Sequence, residues 1–524
     1  MSDSIVKNLS FGDEAKFKVF KGIEQLTNAV GSTLGASGKC VIMEDSSGHP
    51  VITKDGVTVA NSIILKDPIE NMGATLLKEA SRKTVREAGD GTTTATILAH
   101  AILDQVYSSK EKDANIRVTK KGILDGVSKV VKYLEKNSLP VSGKMIDNIA
   151  TISTNNDKEL GKLIADAFRE VGKTGVVTME GSETGDTEVK IVEGVEYNKG
   201  FAHINFTTDK DKSTVDLENP LMLIMESKVD SIRQIQSVLE HVIKNNKALL
   251  IIGEVENAVL SALVMNKMKG NIKINVIDPP AYGLNRKTIL DDLALLTGST
   301  IINEDLGDDL SIIDIDYLGS CIKASSDSDK TLITVNETSE EVKDIINQIK
   351  KDLTKKNKPH VVINLEKRLA RLSGKVAIVK VGANSDIELK EKTDRVEDAI
   401  CATKAAIKEG IVSGGGIALF NASNSLKSKS NGEKALLRAI KAPFFKILNN
   451  AGVVVTDEQN DYLKDNKGEG LDVVTGNMVN MVKHGIIDPL LVTKSALINA
   501  ASVATTIIST DCVINNVRVD ESAR

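Results

Sequence analysis

The segment Gly89-Asp90-Gly91-Thr92-Thr93-Thr94-Ala95 is the part of this 524-residue chain best equipped for chemistry. Two glycines permit a tight turn with positive φ. The threonine run then opens an apolar stretch, ATILAHAIL, that reads as a helix. Free N–H groups and hydroxyls at such a helix start converge on one place and suit phosphate oxygens. Asp90 would repel a bare anion, but it fits there if it holds a Mg²⁺ that bridges to the phosphates. A glycine turn with a threonine N-cap accounts for the same residues without any ligand, so both readings stand. The segment is not a Walker A loop, because no Gly-Lys-Ser/Thr follows the glycines.

Other segments share this double character. Thr33-Leu34-Gly35-Ala36-Ser37-Gly38 is a glycine-bounded loop, and Thr53-Lys54-Asp55-Gly56 is a turn carrying a carboxylate. Gly414-Gly415-Gly416 separates two helical stretches, Asp488-Pro489 begins another, and Asp398 lies in a helical run. Each alone reads equally as a turn, a cap or a solvated charge.

The rest of the composition excludes more than it proposes. Cys40, Cys321, Cys401 and Cys512 form no C-x-x-C pair, which suits reduced thiols rather than a disulfide framework or zinc site. The six histidines are equally scattered, so no metal cluster or triad is legible. A net charge of -5 gives no electrostatic reason to bind nucleic acid. Aromatics at 3% with no Trp argue against base-stacking platforms. The N-terminal stretch lacks an apolar core and carries acidic residues, so a targeting peptide is not expected. No run approaches about 18 apolar residues, so no membrane span is expected. A cytoplasmic setting follows as the expectation.

The elements that must position these residues fall into three textures. At 524 residues, more than one core is expected. The first third is helical, with Val19, Phe20, Ile23, Leu26 and Val30 forming one apolar stripe. In the middle, strand candidates at 221–225, 248–252 and 273–277 alternate with helical stretches at 231–246 and 256–270, the pattern of a parallel α/β layer. A charged helical stretch at 339–373, interrupted near Pro359, precedes a last third that is again helical. The segment 461–470 reads as loose.

Taken together and in order, the segments resemble one family. TLGASGKCV, TKDGVTVA, ENMGA, AGDGTTTAT, TISTNND, VEGVEYNKGF, RVEDAICATKAAIKEGIVSGGGIAL and GIIDPLLVTKSAL are similar to the hallmark segments of group I chaperonins, the bacterial GroEL type. The likeness runs from about Phe11 to Cys512.

The resemblance implies a multidomain chaperonin fold. A mainly α-helical equatorial ATP-binding domain would comprise 1–136 and 410–524. A small α/β intermediate domain would comprise 137–192 and 376–409, and an α/β apical client-binding domain 193–375. It also implies ATP, Mg²⁺ and K⁺ as cofactors. Thr33, Leu34, Gly35, Lys54, Gly56, Gly91, Thr92, Thr93, Thr94 and Ser153 correspond to nucleotide-site positions, with Gly415 and Asp488 on the nucleoside. Asp90 corresponds to the Mg²⁺ ligand, and the backbone oxygens of Thr33 and Lys54 with the Thr93 hydroxyl to a K⁺ site. Asp398 and Asp55 correspond to catalytic positions, Asp55 near the γ-phosphate and Asp398 as the carboxylate that positions the attacking water.

The implied partners are unfolded proteins, a small lid co-chaperonin and further copies in one or two rings of about seven subunits. Phe201, Phe206, Leu239, Leu260, Val264 and Met265 correspond to the client groove, although a helix stripe serving only the apical core fits the same residues. The chain departs from the family at Asn205 and Gln236 in that groove, at Ala36-Ser37, at Lys375 of an upper hinge and at Asp472-Val473. Phe444–Gly470 matches poorly, and no Gly-Met repeats follow. These departures suggest a divergent member, virus-encoded or a second copy.

An ATP-driven foldase is the leading function. A passive holdase or scaffold on the same fold is the alternative, weakened by the presence of Asp55, Asp90 and Asp398 around one polyanion. An ordinary kinase or phosphatase lacks its signature motifs here.

Overall fold

A computed structural model describes residues 7–44, 48–108, 115–154, 157–172, 175–182, 185–209, 213–279, 284–304, 307–308, 313, 315–335, 339–353, 359–383 and 385–516. The chain divides into two compact units. One comprises Met1–Ala165, Glu183–Gly185 and Val381–Arg524, the other Asp166–Ser182 and Asp186–Lys380. Residues of 137–192 and 376–409 are shared between them.

The first unit is a layered helical body built from both ends of the chain. In the Gly12–Gly31 helix, Val19, Ile23, Leu26 and Val30 are buried at the expected spacing, and Asp13 and Glu14 suit its N-terminal dipole. The Pro68–Ala88 helix starts on Asp67, whose carboxylate accepts the Ile69 and Glu70 N–H groups, and ends on left-handed Gly89. The Leu490–Ile508 helix packs against the Pro68–Ala88, Thr92–Tyr107 and Ile116–Lys136 helices. By length and composition alone that helix could cross a membrane. Here it serves as the central core helix, with Ala496, Leu497, Ala500, Ala501 and Ala504 fully buried. Their small side chains let its neighbours approach closely.

Short antiparallel pairs complete this unit. Lys7–Phe11 pairs with Cys512–Asn516, Val41–Glu44 with Pro50–Thr53, and Ile411–Ser413 with Ile487–Pro489. The last pairing sets Val412 opposite Asp488 and joins two motifs that lie far apart in sequence. The segment read as loose is ordered in part, with a capped helix at Asp457–Asp465 and a strand at Glu469–Leu471.

The second unit holds two sheets. Strands Leu221–Met225, Ala248–Ile252 and Lys273–Ile277 are parallel, as their buried apolar runs predict. Ile301–Ile302 extends the layer in parallel and Gly319–Ser320 pairs antiparallel to it. The helical stretches between the strands appear as Gln236–Lys244 and Asn257–Met268, and the long charged stretch as Glu340–Leu353 and Pro359–Leu372. A six-stranded sheet runs in the order Val176–Gly181, Lys375–Val381, Glu188–Tyr197, Thr331–Val335, Lys323–Ser326, Val215–Glu218. At the expected hinge, the Gly194 N–H donates to the Gly374 carbonyl at 3.1 Å, and Lys375 continues as an ordinary strand residue.

Candidate functional site

The positions expected to bind nucleotide in the first unit come from segments far apart in sequence. The Thr92–Tyr107 helix begins at Gly91, which is left-handed, so no side chain caps the helix start. The threonine N-cap reading therefore does not hold. The Thr92 hydroxyl is instead buried without a hydrogen-bond partner. An orphaned buried hydroxyl beside free helix N–H groups marks a place prepared for another group.

Asp55 caps the Gly56–Ser62 helix, accepting from Val57 N at 3.0 Å and Thr58 N at 2.6 Å. Gly56 abuts the threonine run: a Cβ there would stand 2.4 Å from Thr93 Oγ1. That contact places the 53–56 turn against the start of the Thr92–Tyr107 helix. Gly56 also lies against Val30, close to the loop that follows the Gly12–Gly31 helix. In this loop the Thr33 hydroxyl donates to the Val30 carbonyl at 2.8 Å. The Asn450 amide holds the loop from outside, donating to the Gly31 and Leu34 carbonyls, both at 2.9 Å. Gly35 rests on Ile447. Asn450 and Ile447 lie in the 444–470 stretch, and no sequence signal pointed to them.

Asp398 reaches this place on the Asp386–Glu409 helix. Cys401, one turn later on the same face, packs on Gly89 so closely that a Cβ at residue 89 would lie 2.4 Å from the Cys401 Cβ. Gly89 thus has two reasons to lack a side chain, its φ of 76° and the helix against it. Asp488 arrives through its strand pairing, and Gly415 lies against Met481, whose Cε would be 2.8 Å from an added Cβ.

Three of these aspartates respond to a neighbouring carboxylate. Burial holds the Asp398 carboxyl well above the usual range, and the charges of Asp90 and Asp55 add to the shift. Burial also raises Asp90, opposed by the Gly91 N–H that it accepts and assisted by Asp55. Asp488 is pushed up to about 7 by burial and by Asp90. Crowded, partly desolvated carboxylates of this kind favour a proton or a cation. Among the described residues, however, no three His, Cys, Asp or Glu side chains could by themselves hold a metal ion. The residues fit a cation that takes part of its shell from a ligand.

Lys54 is exposed, and Ser153 ends the Met145–Ser153 helix, which packs on the Asp386–Glu409 helix. Neither makes a described side-chain bond to the four aspartates.

A stability consequence follows for Asp488. Its folded pKa is raised, so its favourable contribution is full below the unfolded value near 4 and is lost as pH rises through about 7. In metal-free, nucleotide-free protein, Asp488→Asn is expected to raise the melting temperature at pH 8 by roughly 2–4 °C and to change it little at pH 4. Fluorimetric melts in chelator check this. An unchanged melt at pH 8 would refute it.

In the second unit the positions expected to bind clients fall into three burial classes. Phe206 is fully buried and Val264 is 7% exposed, so both are core side chains, and their place in an apolar groove is corrected here. Phe201, Leu239 and Leu260 are partly buried against the same core. Met265 is 57% exposed. The exposed apolar neighbours that sequence reading missed are Met268, one turn on, and Ile204, in the turn packed against that helix. Lys267 fastens this turn, donating to the Asn205 carbonyl at 3.0 Å and the Thr207 carbonyl at 2.6 Å. Helical period alone cannot say which face of a helix meets a core, which is why the stripe was misassigned.

A helical unit assembled from both chain ends around an acidic site, with a mixed-sheet α/β unit inserted in sequence, is the chaperonin architecture. Residues 26–518 match the TCP-1/cpn60 chaperonin family, and the chain belongs to that family. Among solved structures it is similar to the chaperonin gp146 from bacteriophage EL 2 (Pseudomonas aeruginosa), crystallised in the presence of ATP-BeFx. In one crystal form the TM-score is 0.71 at 21% identity, covering 99% of this chain and 100% of gp146. In a second form the TM-score is 0.64 at 20% identity, covering 97% and 99%. At this identity the likeness concerns the fold.

Proposed function

We propose that this chain is an ATP-hydrolysing chaperonin subunit of the group I type, which binds non-native proteins on its α/β unit and acts as a ring. The convergence of Asp55, Asp90, Asp398 and Asp488 on the uncapped start of the Thr92–Tyr107 helix carries this reading. The ATP analogue present with gp146 supports the choice of nucleotide.

In this reading, the N–H groups and hydroxyls of Gly91–Thr94 bind phosphate oxygens, and Gly415 and Asp488 hold the nucleoside. Mg²⁺ at Asp90, and K⁺ at the carbonyls of Thr33 and Lys54 with the Thr93 hydroxyl, would supply charge neutralisation for the phosphates. Asp398 orients the attacking water and takes its proton. Burial and the neighbouring carboxylates raise its basicity, the direction a general base needs. Asp55, locked to its helix by two N–H bonds, fixes the far wall. Catalysis is by placement and electrostatics rather than by covalent chemistry. The three carboxylates around one polyanion speak against a passive holdase.

Clients are bound at exposed Met265 and Met268, with Ile204 beside them, flexible and apolar surfaces suited to varied partners. The assembly is one or two rings of about seven copies with a small lid protein, in the cytoplasm.

Capture of a denatured protein tests this surface. Met265→Glu is expected to weaken aggregation suppression roughly tenfold with an unchanged melting temperature. Val264→Glu, a charge in the core, is expected to lower the melting temperature by several degrees. Full suppression by folded Met265→Glu would move the client surface elsewhere.

A further inference from the structure

Lys78 is a buried ammonium that no step above uses. It lies in the middle of the Pro68–Ala88 helix and is only 7% exposed. Among the described residues it has no carboxylate partner. Its Nζ donates to the Ile63 carbonyl and lies 3.5 Å from the Asn61 carbonyl oxygen. Arg82, one turn further along, adds a bond from Nη2 to the Asn61 Oδ1 at 2.9 Å. Burial, with a further push from Arg82, holds the Lys78 pKa below its ordinary value. Burying a cation without a counter-ion is costly, and a surface lysine would avoid that cost. What this cation holds are carbonyls at the end of the Gly56–Ser62 helix, which lack partners within that helix.

We propose that Lys78 is a positioning residue of the nucleotide site: its ammonium clamps the end of the Gly56–Ser62 helix to the Pro68–Ala88 helix and so sets Asp55 relative to Asp90. The inference rests on the reading of these two aspartates as parts of a metal–nucleotide site. The geometry is a pair of levers sharing one pin. The Gly56–Ser62 helix is about 10 Å long, and its far end carries Asp55. Both oxygens of that carboxylate are engaged by the helix's own N–H groups, so the carboxylate moves with the helix. The Pro68–Ala88 helix runs about 16 Å from Lys78 to Gly89, where the chain turns into Asp90. Releasing the pin lets the two carboxylates drift apart without removing either. The site residues keep their identity and lose their spacing.

The test uses the full chain and a fluorescent ATP analogue, with Mg²⁺ titrated at fixed nucleotide. Lys78→Met keeps the side-chain length and removes the charge. It is expected to raise the Mg²⁺ half-saturation about tenfold and to speed amide exchange over residues 59–62. Lys78→Arg, which restores a cation, is expected to bring half-saturation within about twofold of the wild type. A merely structural role would lower the melting temperature and leave the Mg²⁺ requirement of the folded protein unchanged. An unchanged half-saturation in folded Lys78→Met overturns the proposal, and so does folded Lys78→Arg that is no better than Lys78→Met. If Lys78→Met does not fold, Lys78→Gln carries the test, since its amide can still donate one bond. A smaller rise in half-saturation is then expected, and no rise overturns the proposal. A wild-type chain that binds no nucleotide at any Mg²⁺ concentration overturns the site reading. Amide exchange then judges the clamp by itself, and unchanged exchange over 59–62 in Lys78→Met overturns it.

Discussion

Asp398→Ala is expected to bind ATP nearly as well as the wild type while turnover falls roughly ten- to a thousandfold. Asp398 lies on a different helix from the one proposed to cradle the phosphates. Its removal leaves Gly91, the Thr92–Thr94 run and the Asp90 turn untouched. It even relieves repulsion, because Asp398 and Asp90 each sit among like charges. Loss of a water-positioning base lowers the rate constant and leaves ground-state affinity in place. Analogue binding and steady-state phosphate release, measured on the same preparation, separate the two quantities. Wild-type turnover in Asp398→Ala would show that another group positions the water. The passive-scaffold alternative would gain only if the wild-type protein itself showed no hydrolysis above background.

Asp90→Ala should fail differently, losing affinity and turnover together. Asp90 follows the left-handed Gly89 and precedes the left-handed Gly91, so its carboxylate lies at the uncapped helix start. It is the side chain best placed to bring a cation to phosphates held by that helix. Mg²⁺-dependent nucleotide affinity is expected to fall about ten- to a hundredfold, with turnover falling at least as far. The Mg²⁺ dependence is the discriminating measurement. In the wild type, affinity should rise steeply with Mg²⁺, whereas in Asp90→Ala the curve should flatten. A variant that keeps both its affinity and its Mg²⁺ dependence would place the cation on another aspartate.

Much of the scaffold was legible because it is written in local periodicity. The three parallel strands at Leu221–Met225, Ala248–Ile252 and Lys273–Ile277 are short, mostly apolar runs that alternate with helical stretches, and that alternation marks a parallel layer. The apolar stripe of the Gly12–Gly31 helix was equally plain. The Leu490–Ile508 helix was not read as span-like, because Lys494, Asn499 and several hydroxyl residues interrupt its apolar sequence. The client surface was misread at Phe206 and Val264 for a different reason. Their elements, Ile204–Phe206 and Asn257–Met268, carry apolar side chains on buried and exposed faces alike.

By itself the sequence determined the chemical inventory: glycine-flanked Asp90, the threonine run, and carboxylates at 55, 398 and 488, in an order that resembles one family. Residue types and short spacings are properties of the chain, so they can be read before folding. The tertiary structure alone decided which of these residues meet, through the closeness of Gly89 to Cys401, the Val412–Asp488 strand pairing and the contact of Gly56 with Thr93. It alone revealed the orphaned Thr92 hydroxyl, the grip of Asn450 on the Gly31–Leu34 loop and the buried Lys78. Those are long-range contacts, and their free energy depends on burial and on which groups are left without partners. Neither quantity exists until segments hundreds of residues apart have packed together.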